Sequence, residues 1–366
     1  MLQMNNEEIR KAADFFTQEI AKLAGNRSVR LMEVCGTHTV AIFKAGIRQL
    51  LPENVELVSG PGCPVCVTPN NYLDTAIAYS RKSDVMIATF GDMLKVPGSS
   101  STLAAEKAQG ADIRIVYSSL EGLELAKRYP NKKVIFLAVG FETTAPTAAA
   151  AVLMAEVEKI TNFYLLSSHK LVPPALRALL SSGDSKVDGF LLPGHVSAMI
   201  GLAPYEFLSK EYNTPAVVAG FEPLDILQSV YMLLRQLDCG VAKVENQYRR
   251  IVPKEGNPAA CEVLSTVYQA ADAQWRGIGH LKKSGLAMQE KYQKFDALLN
   301  IPVAVEETKE AKGCQCGNVL RGLVLPAACP LFGKTCKPEH PIGSCMVSIE
   351  GTCAAWYKYG AGRWQV

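Results

Sequence analysis

The residues best equipped for chemistry in this chain are its cysteines, 11 in number, and most of them fall into two groups at opposite ends. Toward the N-terminus stand Cys35, in Val34-Cys35-Gly36-Thr37-His38, and a pair in Gly60-Pro61-Gly62-Cys63-Pro64-Val65-Cys66. Toward the C-terminus stand Cys329, Cys336, Cys345 and Cys353, with Cys314 and Cys316 just ahead of them. Thiolates are soft ligands and redox-active groups, so this clustering points to metal, disulfide or iron–sulfur chemistry rather than to packing.

The C-terminal spacing, Cys329-x6-Cys336-x8-Cys345-x7-Cys353, lies in glycine- and proline-containing loops that can wrap a [4Fe–4S] cluster. A structural zinc site with four thiolates competes with that reading. Cys314 and Cys316 are reserve ligands. The Cys63/Cys66 pair follows an apolar run, a context that fits a dithiol/disulfide motif; half a metal site, or two inert thiols in a tight turn, are the alternatives. Cys35, at the opening of a helix, is expected to have its thiol pKa lowered by the helix N-terminal amides. It is then a soft-metal ligand or a nucleophile, unless it is simply a small buried apolar residue.

Histidines and acids after the apolar runs are weaker candidates. His195, in Pro193-Gly194-His195-Val196, and His169, in Ser168-His169-Lys170, can donate hydrogen bonds into a cleft or serve structure alone. Glu142, in Gly140-Phe141-Glu142-Thr143-Thr144, is either a proton shuttle or a helix cap. Asp92 is placed similarly.

Bulk properties narrow the field. A chain of 366 residues with 48% hydrophobic composition supports two or three domains. With 38 Lys and Arg against 35 Asp and Glu, it carries no electrostatic footprint for nucleic acid or an anionic membrane. The first residues carry Glu7, Glu8, Arg10, Lys11 and Asp14 and do not read as a signal peptide. No run of about 18 apolar residues offers a membrane span. The expected location is therefore the reducing cytoplasm, where structural disulfides are rare and cysteines serve as ligands or redox groups.

The elements that must position these residues are also legible. Short β-branched apolar runs at 29–34, 55–58, 84–90, 113–117, 133–139, 162–166, 188–192 and 215–219 alternate with helical stretches, the pattern of βαβ units and parallel sheets. Each motif lies just after a run, and ligands in such sheets bind beyond the strands' carboxyl ends. One shared cleft is implied. Eight strands also suit a closed barrel, but two smaller α/β domains are preferred, at 29–117 and 118–225. Residues 1–28 and 226–366 form a third, mostly helical or irregular region, with helices over 224–237 and 259–274 and a cysteine-rich end too poor in apolar periodicity to build its own core.

The ordered series Cys35-Gly36-Thr37-His38, Gly60-Pro61-Gly62-Cys63-Pro64-Val65-Cys66, Gly140-Phe141-Glu142-Thr143-Thr144, Pro193-Gly194-His195-Val196 and Cys329-Pro330-Leu331-Phe332-Gly333 resembles the HypD family of hydrogenase maturation factors, over nearly the whole chain. The resemblance implies a cytoplasmic scaffold that builds the Fe(CN)2CO unit of [NiFe] hydrogenase with a HypC-type small chaperone and a HypE-type cyanide donor, reaching the hydrogenase large-subunit precursor through HypC. It implies two similar α/β domains around a cleft and a third domain with a [4Fe–4S] cluster. Carried onto this sequence, Cys35 binds or faces the iron with His38 beside it. Cys63 and Cys66 form the dithiol that ligates iron or relays electrons, and Cys329, Cys336, Cys345 and Cys353 hold the cluster. The competing function is a stand-alone thiol–disulfide oxidoreductase with a structural metal site.

Overall fold

The computed structural model describes residues 5–184 and 186–360. Each of the apolar runs becomes a strand: β1 (Val29–Glu33), β2 (Val55–Ser59), β3 (Val85–Thr89), β4 (Ile113–Ile115), β5 (Lys133–Gly140), β6 (Phe163–His169), β7 (Gly189–Pro193) and β8 (Ala216–Ala219). A further short strand, β9 (Val244–Asn246), was not expected; three residues leave no apolar run to read. The strands form two sheets rather than a barrel, a five-stranded one in the order β2-β1-β7-β8-β9 and a four-stranded one in the order β4-β3-β5-β6. All neighbours in both are parallel. Helices cover both faces, which is why β3, β7 and β8 are buried along their whole length.

A boundary at 117/118 does not separate the two sheets. β1 and β2 join β7 and β8, with Leu31 paired to Gly189, while β3 to β6 make the other sheet. The repeated strand–helix theme does not say which connection stays in its sheet. Here the β2–β3 and β6–β7 connections both change sheets. The helix Asn6–Ala24, assigned above to the third region, belongs to the five-stranded sheet. Its Ile20 and Ala24 pack with Leu31, Leu57 and Leu191 and with Ile226, Val230 and Leu233 of the helix Pro223–Cys239.

The third region is less helical than its sequence suggested. The helix expected over 259–274 ends at Val267, and the chain continues as an antiparallel hairpin of β10 (Tyr268–Trp275) and β11 (Gly279–Met288). Trp275 anchors it: the ring is fully buried and stacks on Phe141 at 6.2 Å, and its Nε1–H donates to Ser284 Oγ at 2.9 Å. The cysteine-rich stretch that follows holds the short helix Cys316–Leu320 and single turns before the helix Thr352–Tyr359. The ends of the third region, 1–4 and 361–366, lie outside the described residues. No helix among the described residues is long and apolar enough to cross a membrane.

Candidate functional site

The carboxyl ends of both sheets open on one cavity of about 510 Å³. The five-stranded sheet contributes Cys35, Thr37, Gly62, Pro64 and His195; the four-stranded sheet contributes Asp92, Tyr117, Phe141 and Thr143. Ser348, Ile349 and Glu350 of the cysteine-rich segment close the remaining wall.

The two N-terminal cysteine motifs are stitched together by their backbones. Gly60 N–H donates to Glu33 O at 2.8 Å and Gly36 N–H to Gly62 O at 3.1 Å. Gly62 lies so close to Val34 and Cys35 that a Cβ would enter their backbone. The Cys35 amide donates to the buried carboxyl of Glu33 at 3.2 Å. Burial pushes the Cys35 thiol up to about 12, although backbone amides of His38 and Thr37 act in the opposite sense. The helix amides expected to lower it are thus in place, but desolvation of the thiolate outweighs them. Glu350 adds to the upward shift, and its Oε1 accepts from Thr37 Oγ1 at 2.6 Å.

His195 lines the cavity and stacks on Phe221 with ring centroids 4.0 Å apart. His38 does not line it. Fully buried, it also stacks on Phe221, and its Nε2 lies 3.0 Å from Gly220 O and 3.2 Å from Ala219 O. Burial drives its pKa down to about 4, so it is neutral and ties the helix Gly36–Lys44 to the end of β8. Glu142 also stays outside the cavity lining. Its Oε1 accepts the Val172 amide at 2.9 Å, at the start of the helix Val172–Ser182 rather than of its own helix, and burial raises it to about 7.

Cys63 and Cys66 are joined by a disulfide, with Cα atoms 5.2 Å apart across the turn Pro64–Val67. Both are buried, Cys63 at 4% exposure and Cys66 at 0%. Ser344 Oγ donates to Cys66 O at 2.9 Å, so the cysteine-rich segment touches the disulfide turn one residue before Cys345.

Within that segment Cys314, Cys316, Cys329, Cys336 and Cys353 line one small cavity. The thiols of Cys316, Cys345 and Cys353 are mutual hydrogen-bonding neighbours, and Cys314 reaches Cys316. The Cys316 thiol holds Cys314 down to about 6, and the resulting negative sulfur pushes Cys316 well up. Gly343 packs so tightly here that a Cβ would lie 2.5 Å from the Cys316 sulfur and 2.7 Å from that of Cys314. Cys336 Sγ accepts the Ile342 amide at 3.4 Å. Among the described residues no three His, Cys, Asp or Glu side chains are arranged around a single ion. A donor set of thiols on glycine-rich loops around one cavity fits a thiolate-held iron–sulfur cluster, whose sulfur ligands spread over several corners. Cys314 and Cys316 belong to the same group as the expected Cys336, Cys345 and Cys353; Cys329 sits at its partly exposed rim.

Sequence reasoning did not find Glu33, Glu350 or Ser344. Glu33 sits just before the first cysteine motif, where a charged residue inside an apolar run was the available signal. Glu350 and Ser344 meet residues some hundreds of positions away and carry no local sign of it.

An α/β protein whose two sheets and cysteine-rich segment converge on a thiol-bearing cleft is the class these features define. The chain belongs to the HypD family: residues 11–360 match the family model described as "Hydrogenase formation hypA family". It is similar to the hydrogenase maturation factor HypD of Escherichia coli, 48% identical over 334 residues that cover 91% of this chain and 90% of the relative. It is similar to the same factor of Rhodobacter capsulatus, 45% identical with 94% of each chain covered. A putative hydrogenase expression/formation protein of Methanocaldococcus jannaschii is 45% identical, with 98% of this chain and 99% of that one covered.

Proposed function

We propose that this chain acts in hydrogenase maturation as the scaffold on which the Fe(CN)2CO unit is assembled, in the cytoplasm, together with a HypC-type chaperone and a HypE-type cyanide donor. The hydrogenase large-subunit precursor is reached through the chaperone. The observation that carries this reading is the meeting of three sulfur-bearing segments at one cavity. The Cys35 loop and the disulfide turn share backbone hydrogen bonds, and Ser344 ties the cysteine-rich segment to Cys66.

In this reading Cys35 is the protein's ligand to the iron under assembly. Burial keeps its thiol protonated until a soft cation replaces the proton. Glu350, held by Thr37 and close enough to raise the Cys35 thiol, is the carboxylate placed to receive that proton. His195 lines the cavity and can donate a ring N–H to a cyanide nitrogen, while Asp92 on the facing wall accepts from Ser348 Oγ at 2.8 Å and holds the cysteine-rich segment against the cleft. Releasing cyanide from a protein thiocyanate breaks the S–C bond, takes two electrons and leaves a thiolate and a cyanide ion. A Cys63/Cys66 dithiol supplies both electrons and two protons on closing to the disulfide. Four thiolates would hold a [4Fe–4S] cluster: Cys329, Cys336, Cys345 and Cys353, or a set in which Cys314 or Cys316 replaces the rim residue Cys329. Such a cluster supplies single electrons, which suits resetting a disulfide. His38 and Glu142 act by positioning: one fixes the helix behind Cys35, the other the β5 turn.

The stand-alone oxidoreductase reading is disfavoured by the burial of the disulfide, which a soluble dithiol substrate cannot approach directly. The test is anaerobic co-purification with the HypC-type partner, followed by infrared spectroscopy of the CN and CO stretching region. Wild type should give these bands, and Cys35→Ser should lose them while keeping its iron–sulfur absorbance. Absence of the bands from the wild-type complex isolated under maturation conditions would overturn the proposal.

A further inference from the structure

A second cavity, of about 230 Å³, lies away from the cleft between the outer edge of β6 and the hairpin of β10 and β11, which bridges to that edge at Lys170 and Gly285. Lys170, Ser167, His169, Asn71 and Asp272 are among the residues that line it. Lys170 is only 5% exposed, and among the described residues its amine has no hydrogen bond and no ion pair. His169 Nδ1 is buried without a hydrogen bond, and Ser167 Oγ faces the Tyr268 hydroxyl. The side-chain amide of Asn71 accepts from the Tyr72 amide through Oδ1 and leaves its NH2 unused. Asp272, the carboxylate in the lining, accepts from the Lys283 amide at 2.9 Å and makes no ion pair with Lys170.

A largely desolvated cation that opens only onto a cavity and has no counter-charge is costly, and so is a buried imidazole nitrogen without a partner. His169 and Lys170 bring such groups together at the end of β6, around space that a ligand can occupy. The cavity is smaller than the roughly 300–1,000 Å³ of sites for drug-sized molecules, so its ligand has few heavy atoms. Burial lowers the Lys170 amine to about 8, which leaves it mostly charged at neutral pH, and it lowers His169 to about 3, which leaves that ring neutral. A charged amine with neutral donors around it is the recognition chemistry of a small oxyanion.

We propose that this cavity binds a small oxyanion, a carboxylate or inorganic phosphate, with Lys170 as its counter-charge and Asn71, Ser167 and His169 as hydrogen-bonding partners. The site is separate from the iron cleft, and the maturation role does not depend on it. It nevertheless adjoins the cleft machinery at two points. The Lys170 amide donates to Gly140 O at 2.9 Å, Gly140 lines the cleft, and Asn71 follows the disulfide turn in the chain.

The test is thermal unfolding of the full chain, anaerobically, titrated separately with formate, acetate and inorganic phosphate at constant ionic strength against chloride. Wild type should show a saturable rise in Tm with at least one of these anions; the arm that responds identifies carboxylate or phosphate as the ligand group. Lys170→Met should weaken the apparent affinity at least tenfold, and Lys170→Arg should retain it in part. A second readout on wild type alone is acetylation of Lys170, followed by mass spectrometry, which the responding anion should slow. The proposal is overturned by no saturable shift with any anion, by wild-type affinity in Lys170→Met, or by Lys170 acetylation that the anion leaves unchanged.

Discussion

Gly62 has no room for a side chain, because a Cβ there would overlap the backbone of Val34 and Cys35. Gly62→Ala is expected to push the disulfide turn away from Cys35 at a cost of about 1–3 kcal/mol, the usual range for overpacking. Urea unfolding measures the cost, and iron binding measures the displacement; wild-type values in both would contradict the packing argument. Glu142 makes a different prediction. Its carboxyl is raised from 4.5 to about 7 by burial, one oxygen accepts the Val172 amide and the other has no partner. Between those two values the folded state holds the extra proton, so stability falls as pH rises from 4.5 to 7, by about 3 kcal/mol in all. Glu142→Gln should remove that part of the slope, leaving the share of Glu33, which burial also holds near 7, and the opposite slope of the buried His38 and His169, whose lowered values make stability rise with pH up to about 6.5. Denaturant midpoints at pH 5 and pH 8 decide it: an unchanged slope means that the carboxyl is not the source. Residue by residue, the cavity was legible for Cys35 and His195 because each follows a strand, and strand ends converge. The same rule could not say which side chains at those ends face inward. His38 and Glu142 turn instead to Gly220 and Val172.

Among the elements, the eight apolar runs were legible because strands buried on both faces need nearly continuous β-branched sequence. The hairpin of β10 and β11 has no such signature. Its residues Gln269, Ala270, Asp272, Lys282 and Lys283 favour no strand, and tertiary packing on β6 and Phe141 decides their conformation. Trp275→Ala should therefore cost about 3–5 kcal/mol and speed amide exchange along both hairpin strands before the sheets open. Protection equal to wild type across 268–288 would show that Trp275 is not the anchor. The cysteine-rich segment makes the matching prediction for metal. Chelation of the purified protein, or Cys353→Ser, should open residues 303–351 to protease while 29–246 stays protected, since metal binding and local folding are linked. Peptide mapping of the cleavage sites reads this out, and equal resistance of the segment with and without metal would refute it.

For the molecule as a whole, the strand pattern suited a closed barrel as well as the two preferred α/β domains and concealed which strands pair, because a parallel strand carries no mark of its neighbour. Separate production of residues 29–117 should give a chain without a stable sheet, since β1 and β2 lack β7 and β3 lacks β5. A cooperative unfolding transition in that fragment would show that the interleaving matters less than the pairing implies. The interleaving also bears on how the protein is made. β3 to β6 follow one another in the chain and can pair as they emerge, whereas β1 waits for β7 at Gly189. At about 5–20 residues per second of synthesis, that wait is on the order of ten seconds. During it the nascent chain exposes an unfinished apolar ribbon, and a holding chaperone at the ribosome is the natural safeguard.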